Sequence, residues 1–405
     1  MKRIGLLGAF SIDNPGDVAI GLAVRRALGR LVPEAELRLF APRLPGAFWG
    51  HDFSGARGLD VEVLPVPAVD GPLDWARPLD ALVIGGGGLI IPERGFDPFL
   101  LGDPHAWRDC RVRAAWNAVC AQGGAWDSPG RAAWCAKVRE CCERLAHVSV
   151  RNPSTADFLR RIGFAGEIGV VPDCAFGLDL GPRPDAEGDP LDALLRRSGL
   201  DPAKRRIGLT VGSPLADPCA RPFFRRLFAS LGRLAREPGF GPAEVVLFPF
   251  GTVYGDAHLL AFAGEALPGA KRIAERLAPL DAWRLVGRMD LYVANRLHGM
   301  IAALVQNVPF LVLDEYLRPP AATSKVRDLA VEAGLEPHYV CPRLETDPDR
   351  KLADLLARAA AGTVDFAPLV AAARARLDEH YRTMLGRLLL PVEPRAEGDA
   401  PEERR

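Results

Sequence analysis

No stretch of this 405-residue chain offers the roughly 18 uninterrupted apolar residues that a membrane-spanning helix requires, so no span is expected. Net charge is also missing, because 51 Lys and Arg balance 51 Asp and Glu. No global field therefore steers the protein toward nucleic acid or an anionic membrane, and any anion binding must be local. The cysteines at 110, 120, 135, 141, 142, 174, 219 and 341 include no CxxC pair and no zinc-like spacing. That pattern gives no metal site and fits reduced, mostly buried thiols in the cytoplasm. The first βα junction lacks a GxGxxG fingerprint, and no acidic ribose-binding signal follows it. A dinucleotide cofactor is therefore not expected. The opening apolar run ends by Phe10, with Asp13 and Asp17 behind it, which is too short for a secretory h-region and reads as a first buried strand.

What is present is an alternation of short apolar runs with longer amphipathic stretches, the signature of βα units around parallel sheets. Strands are predicted over 3–7, 36–40, 61–64, 81–84, 147–150 and 168–171, with helices over 17–31, 111–121, 131–145 and 154–162. A cluster of breakers and charges at 181–190 reads as a linker. The pattern then restarts, with strands over 207–211, 245–250, 291–294 and 310–313 and helices over 223–236, 256–265, 280–286, 300–306 and 324–333. The chain exceeds what one hydrophobic core usually supports. The expected fold class is α/β, with two Rossmann-like domains, 1–180 and 191–365, facing across a cleft. A helix over 366–390 is expected to pack back on the first domain, and 391–405 is expected to be a frayed, charged tail.

In such sheets ligands sit beyond the carboxyl ends of the strands, so the loops there carry the candidate site. Arg296 and His298, in Asn295-Arg296-Leu297-His298-Gly299, join a strand to a helix N-terminus. Free backbone N–H groups and the helix dipole favour an anion there. Arg296 adds a planar fork for carboxylate or phosphate, and His298 a group that moves protons near neutral pH. Asn14, Gly16 and Asp17 lie at the first βα junction, with Asp17 placed where an N-cap belongs. Gly86 and Gly87 lie in a run of four glycines, which is costly to order and points to a backbone that something must approach closely. Arg151 ends the strand over 147–150 as a candidate anion clamp, with Ser154 as the N-cap of the helix behind it. Asp173 and Asp256 read as organisers of a rim or turn. Lys325 opens a helix against the macrodipole, which favours a ligand-binding role.

Taken in order, these segments resemble the polysaccharide pyruvyl transferase family. The matching elements are Asn14-x-Gly16-Asp17, the glycine run after Asp80–Ile84, Ser149-Val-Arg151-x-x-Ser154, Pro172–Phe176, and Arg296-Leu-His298-Gly299 with the later Tyr316 and Lys325. Asn152 stands where the family usually has an acidic residue, and Cys174 replaces the usual Pro of its Asp-Pro-Ala-Phe pattern. The resemblance implies a GT-B-like fold with an interdomain active site. It also implies a phosphoenolpyruvate donor and transfer of a pyruvyl group, usually as a ketal, to hydroxyls of a saccharide or lipid-linked saccharide. Peripheral membrane association is compatible with such an acceptor.

The residues fit that chemistry independently. Phosphoenolpyruvate carries a carboxylate and a phosphate, so at least two cationic clamps are needed, and Arg296, Arg151 and Lys325 are candidates. His298 is the candidate proton donor to the enol methylene. No cofactor or metal is called for. A GT-B glycosyltransferase holding a nucleotide-sugar diphosphate on Arg296 and Lys325 is the alternative enzyme. A non-catalytic saccharide- or anion-binding module is the alternative of another class.

Overall fold

The structure, a computed structural model, describes residues 1–10, 14–43, 63–67, 75–91, 112–121, 131–181, 189–210, 221–251, 262–314, 324–342, 344–345, 347–361 and 364–390. Two parallel sheets organise them. The first comprises β1 (Arg3–Leu7), β2 (Glu36–Arg43), β3 (Val63–Pro67), β4 (Ala81–Ile90), β5 (Arg113–Ala121), β6 (His147–Val150) and β7 (Gly169–Val170), in the order 3-2-1-4-5-6-7. The second comprises β8 (Arg205–Thr210), β9 (Ala243–Leu247), β10 (Lys271–Arg272), β11 (Leu291–Ala294), β12 (Phe310–Leu313) and β13 (Tyr339–Val340), in the order 10-9-8-11-12-13. Each sheet therefore reverses its winding beside its first strand, at β1/β4 and at β8/β11. Those are the switch points where doubly wound sheets open a crevice for ligands.

The helices cover these sheets and meet between them. Helix α1 (Pro15–Leu31) follows β1 and buries Val18, Ala19, Ile20, Ala23, Val24, Ala27 and Leu28. In the second lobe α6 (Pro279–Val286) precedes β11 and α7 (Leu297–Val305) follows it. One apolar cluster includes Ile20 and Val24 of α1, Trp283 of α6, Met300 of α7, and Leu377 and Met384 of the last helix. That shared core, with the buried Trp283 Nε1 donating to Pro15 O at 3.0 Å, joins the two lobes. The last helix, α10 (Ala367–Leu389), packs over α1, β5 and the 3₁₀ turn Cys174–Gly177. Among the described residues no helix is long and apolar enough to cross a membrane.

Of the helix expected over 111–121, the described residues Arg113–Ala121 form a strand instead. β5 lies between β4 and β6 and is buried on both faces from Ala114 to Cys120. A strand buried on both sides shows no period of two, and its alanines and arginines imitate a helix. The glycine run is likewise part of a strand. β4 continues through Gly85–Gly88, pairing Gly85 with Asn117 and Gly87 with Val119. Gly86 adopts φ +86°, and a Cβ there would overlap Ile20. The close approach at Gly86 is thus made by α1, which comes down onto the sheet at this point. The structure adds α4 (Pro190–Arg197), capped by Asp189, and α9 (Pro348–Ala360), capped by Asp347. Most of the expected linker over 181–190 (residues 182–188), most of the helix over 256–265, and the tail at 391–405 lie outside the described residues.

Candidate active site

Three junctions of the first lobe build one wall of the crevice. At the first, Asn14 rather than Asp17 occupies the N-cap of α1, with Pro15 following. Asp17 sits in the first turn, where its Oδ2 accepts from Asn14 Nδ2 at 2.6 Å. At the second, Arg151 leaves β6 buried, and α3 (Pro153–Arg161) begins with Asn152 as its N-cap, so Ser154 falls one residue inside the proline. At the third, the chain beyond β7 reaches Asp173, whose Oδ1 caps the 3₁₀ turn by accepting from Ala175 N at 2.9 Å. Its Oδ2 accepts from Arg151 Nη1 at 2.5 Å.

The second lobe supplies the other wall. Arg296 is the buried N-cap of α7, and His298 lies in that helix's first turn. The imidazole crosses to the first lobe and lies directly on Gly16, where any Cβ would overlap the ring. His298 Nε2 stands 3.7 Å from Asp173 Oδ2 and has no hydrogen-bond partner among the described residues. Lys325 is the first residue of α8 (Lys325–Glu332). Ser324, its N-cap, accepts from Arg327 N at 3.1 Å and donates to the fully buried Asp314, which also accepts from Tyr339 O–H at 2.7 Å.

The electrostatics show that these groups share one space. Burial pushes the Lys325 ammonium down to about 8, assisted by the charges of Arg151 and Arg296 and opposed by Asp17. Burial likewise raises the Asp17 carboxyl, against the pull of His298, Arg151 and Lys325. For Asp173 burial acts upward too, but Arg151 and His298 outweigh it and hold the carboxyl well below the usual carboxylate range. The crevice thus gathers four basic side chains against two carboxylates, one of which resists ionising. That imbalance suits an anion with more than one charge.

The expected residues divide into two groups. His298, Arg151, Lys325, Arg296 and Asp17 are brought together, with Gly16 beneath the imidazole and Gly87 against Asp17 Oδ1. Asn14 reaches the site through Asp17. Ser154 is turned elsewhere: its Oγ and Asn152 Nδ2 both donate to Asp328 Oδ2 at 2.5 Å, tying α3 to α8 across the lobes. An acidic residue at 152 would face that carboxylate, so Asn152 and Asp328 suit each other. Gly86 is occupied by α1. Asp256 and Tyr316 lie outside the described residues. Asp173 is the member that sequence reasoning left as a rim or turn residue. It does cap a turn, but its second oxygen binds Arg151 and faces His298. The Pro172–Phe176 segment was the available signal, and only the fold gave it a partner. A cavity of about 260 Å³ adjoins the cluster, lined by Arg151, Asp173 and Lys325 and by residues of α8 and α10.

Comparison with known proteins agrees on the fold. The structure is similar to the UDP co-structure of S. aureus MnaA, with a TM-score of 0.55 at 14% identity, covering 98% of this chain and 100% of that one. It is also similar to the Methanocaldococcus jannaschii UDP-GlcNAc 2-epimerase in complex with UDP-GlcNAc and UDP, with a TM-score of 0.57 at 12% identity, covering 95% and 99%. The Neisseria meningitidis UDP-GlcNAc 2-epimerase bound to UDP-GlcNAc gives 0.56 at 9% identity, covering 95% and 100%. No curated protein matches the chain. The family model described as polysaccharide pyruvyl transferase matches residues 14–315, a span that holds the Asn14 loop, Arg151, Asp173 and the Arg296–His298 pair. With three quarters of its length inside that match, which holds every basic residue of the crevice but Lys325, the chain belongs to the polysaccharide pyruvyl transferase family of transferases.

Proposed function

We propose that the crevice binds phosphoenolpyruvate and transfers its pyruvyl group to two hydroxyls of a saccharide, forming a ketal and releasing phosphate. One observation carries this reading. His298, from the second lobe, is seated on Gly16 of the first and faces Asp173 Oδ2, the same oxygen that accepts from Arg151. A proton donor and cationic clamps thereby converge from both lobes.

Arg151, Lys325 and Arg296 hold the carboxylate and phosphate of the donor. His298 gives a proton from Nε2 to the enol methylene, making C2 electrophilic. A first acceptor hydroxyl adds to C2, and the C2–O bond to phosphate breaks with its electron pair leaving on the phosphate oxygen. A second hydroxyl then adds to C2 and closes the ketal. Of the two hydroxyl protons, one balances the proton taken by the methyl carbon and the other ends on phosphate. Asp173 positions Arg151 and stays ionised beside the imidazole. The acceptor in this reading is a saccharide, free or lipid-linked.

The test is incubation with phosphoenolpyruvate and a panel of p-nitrophenyl hexosides, following phosphate release and the mass gain of a pyruvyl ketal. Phosphoenolpyruvate should raise the melting temperature, whereas UDP- and GDP-sugars should not; the reverse would favour a glycosyltransferase. His298→Gln should lower turnover by about 10²–10⁴-fold while donor binding stays measurable. Wild-type turnover in that variant would remove His298 from the mechanism.

A further inference from the structure

The cavity leading away from the reacting groups has a composition that a three-carbon donor does not account for. Its lining runs from the buried Arg151 and Asp173, with Lys325, to the more exposed Glu332 of α8 and Arg376 of α10. Alkyl side chains of α8 and α10, among them Leu329 and Ala372, form the walls between. His298 does not line it, whereas Asp173, 3.7 Å from His298 Nε2, does. Arg151 is 6% exposed, and while Asp173 holds its Nη1, its Nε has no hydrogen-bond partner among the described residues. A buried guanidinium and a second cation lining one cavity make a site for an oxyanion. At the mouth Arg376 Nη1 lies 3.1 Å from Glu332 Oε1, with the two side chains 50% and 27% exposed. An ion pair that exposed opens readily.

The proposed reaction sets a requirement that this compartment meets. C2 is attacked twice, and between the attacks the acceptor is already bonded to it. The phosphate, departing with the electron pair of the C2–O bond, must withdraw on a side that the acceptor does not occupy. Carrying the first hydroxyl's proton, it must also stay away while the second hydroxyl adds and returns its proton to His298. We propose that the cavity between α8 and α10 receives the released inorganic phosphate from Arg151 and Lys325 and passes it to solvent beside Arg376. This rests on the pyruvyl-transfer reading. Three cations against two carboxylates favour a dianion, and most of the remaining described lining is apolar. Phosphate is therefore held chiefly by the cations and moves on.

Two variants test it. Ala372 is an exposed residue of α10 that lines the cavity, so Ala372→Phe fills the passage without disturbing the core. Arg376→Glu reverses the charge at the mouth. Phosphoenolpyruvate should raise the melting temperature of wild type and both variants alike. Ala372→Phe should keep the first-turnover burst of phosphate yet lower steady-state kcat at least tenfold. Inorganic phosphate should inhibit wild type, with an inhibition constant at least tenfold higher in Arg376→Glu. Unchanged kcat in the first variant and an unchanged inhibition constant in the second would overturn the phosphate route while leaving donor binding intact. Absence of any phosphoenolpyruvate stabilisation in wild type would instead remove the pyruvyl-transfer reading, and this inference with it.

Discussion

Gly16 carries the most demanding single requirement in the molecule, because the His298 ring occupies the place of its missing side chain. Gly16→Ala should push the imidazole away from Asp173 and lower kcat about 10²-fold, the loss that a misplacement of about 1 Å produces, with little change in melting temperature. Steady-state kinetics beside a thermal melt would separate that outcome from unfolding. Lys325 sets a second expectation. Its ammonium, pushed down to about 8, loses its charge well below the ordinary lysine range. Donor kcat/KM should therefore be maintained below pH 8 and fall as pH rises through it, since the free enzyme's titration governs that parameter. Lys325→Arg, with a guanidinium that stays charged, should abolish this alkaline limb in a kcat/KM profile.

Helix α8 shows how an element aims a functional group. Ser324 caps it, accepting from Arg327 N, and is itself fixed by the buried carboxylate of Asp314 that Tyr339 also serves. Ser324→Ala should cost about 1 kcal/mol through the lost cap, and more through the donor withdrawn from Asp314. The donor KM should rise as Lys325 loses its seat, which thermal melting and donor kinetics together would show. β5 teaches the complementary lesson. Its register shifts between Trp116 and Val119 against β6, where Ala118 adopts φ +51° and its N–H turns to Ser149 Oγ. A bulge of this kind redirects side chains. Here Asn117 bridges Cys174 Sγ on one side and His380 Nε2 on the other. Nothing in the local sequence of 111–121 distinguishes this strand from a helix, because its neighbours on both faces come from distant segments.

Across the whole molecule, α10 is held to the first sheet by a buried polar network that is sensitive to acid. His380 Nε2 pairs with Asn117 Oδ1 at 2.8 Å, the His147 ring lies 5.2 Å from the His380 ring, and Arg387 approaches His147 Nδ1 at 3.3 Å. Burial pushes His147 down to about 4, with Arg387 assisting and Glu167 opposing. Burial and then His147 push His380 down to about 3. Both imidazoles are neutral in the folded protein, whereas in the unfolded chain they take up protons below about pH 6.5. Stability is therefore complete above pH 6.5 and is lost as pH falls toward 4, by on the order of 3 kcal/mol for each group. Melting temperature should drop across that window, and His380→Gln should flatten part of the drop.

The sequence by itself determined the alternation of elements, and with it two doubly wound sheets. β6, β11 and β12 fall on the predicted residues, because a short buried parallel strand bounded by polar junctions is a local signal. It also marked Arg151, Arg296, His298 and Lys325, since a charge at a strand's carboxyl end or a helix N-terminus is visible in one dimension. Only the tertiary structure decided which of those junctions meet. It seated His298 on a glycine of the other lobe, gave Arg151 to Asp173, turned Ser154 toward Asp328, and closed the glycine run against α1. Local chemistry chooses the elements, but a site between two lobes is made of contacts between residues far apart in the chain. Those contacts depend on how the shared core of α1, α6, α7 and α10 packs the lobes together.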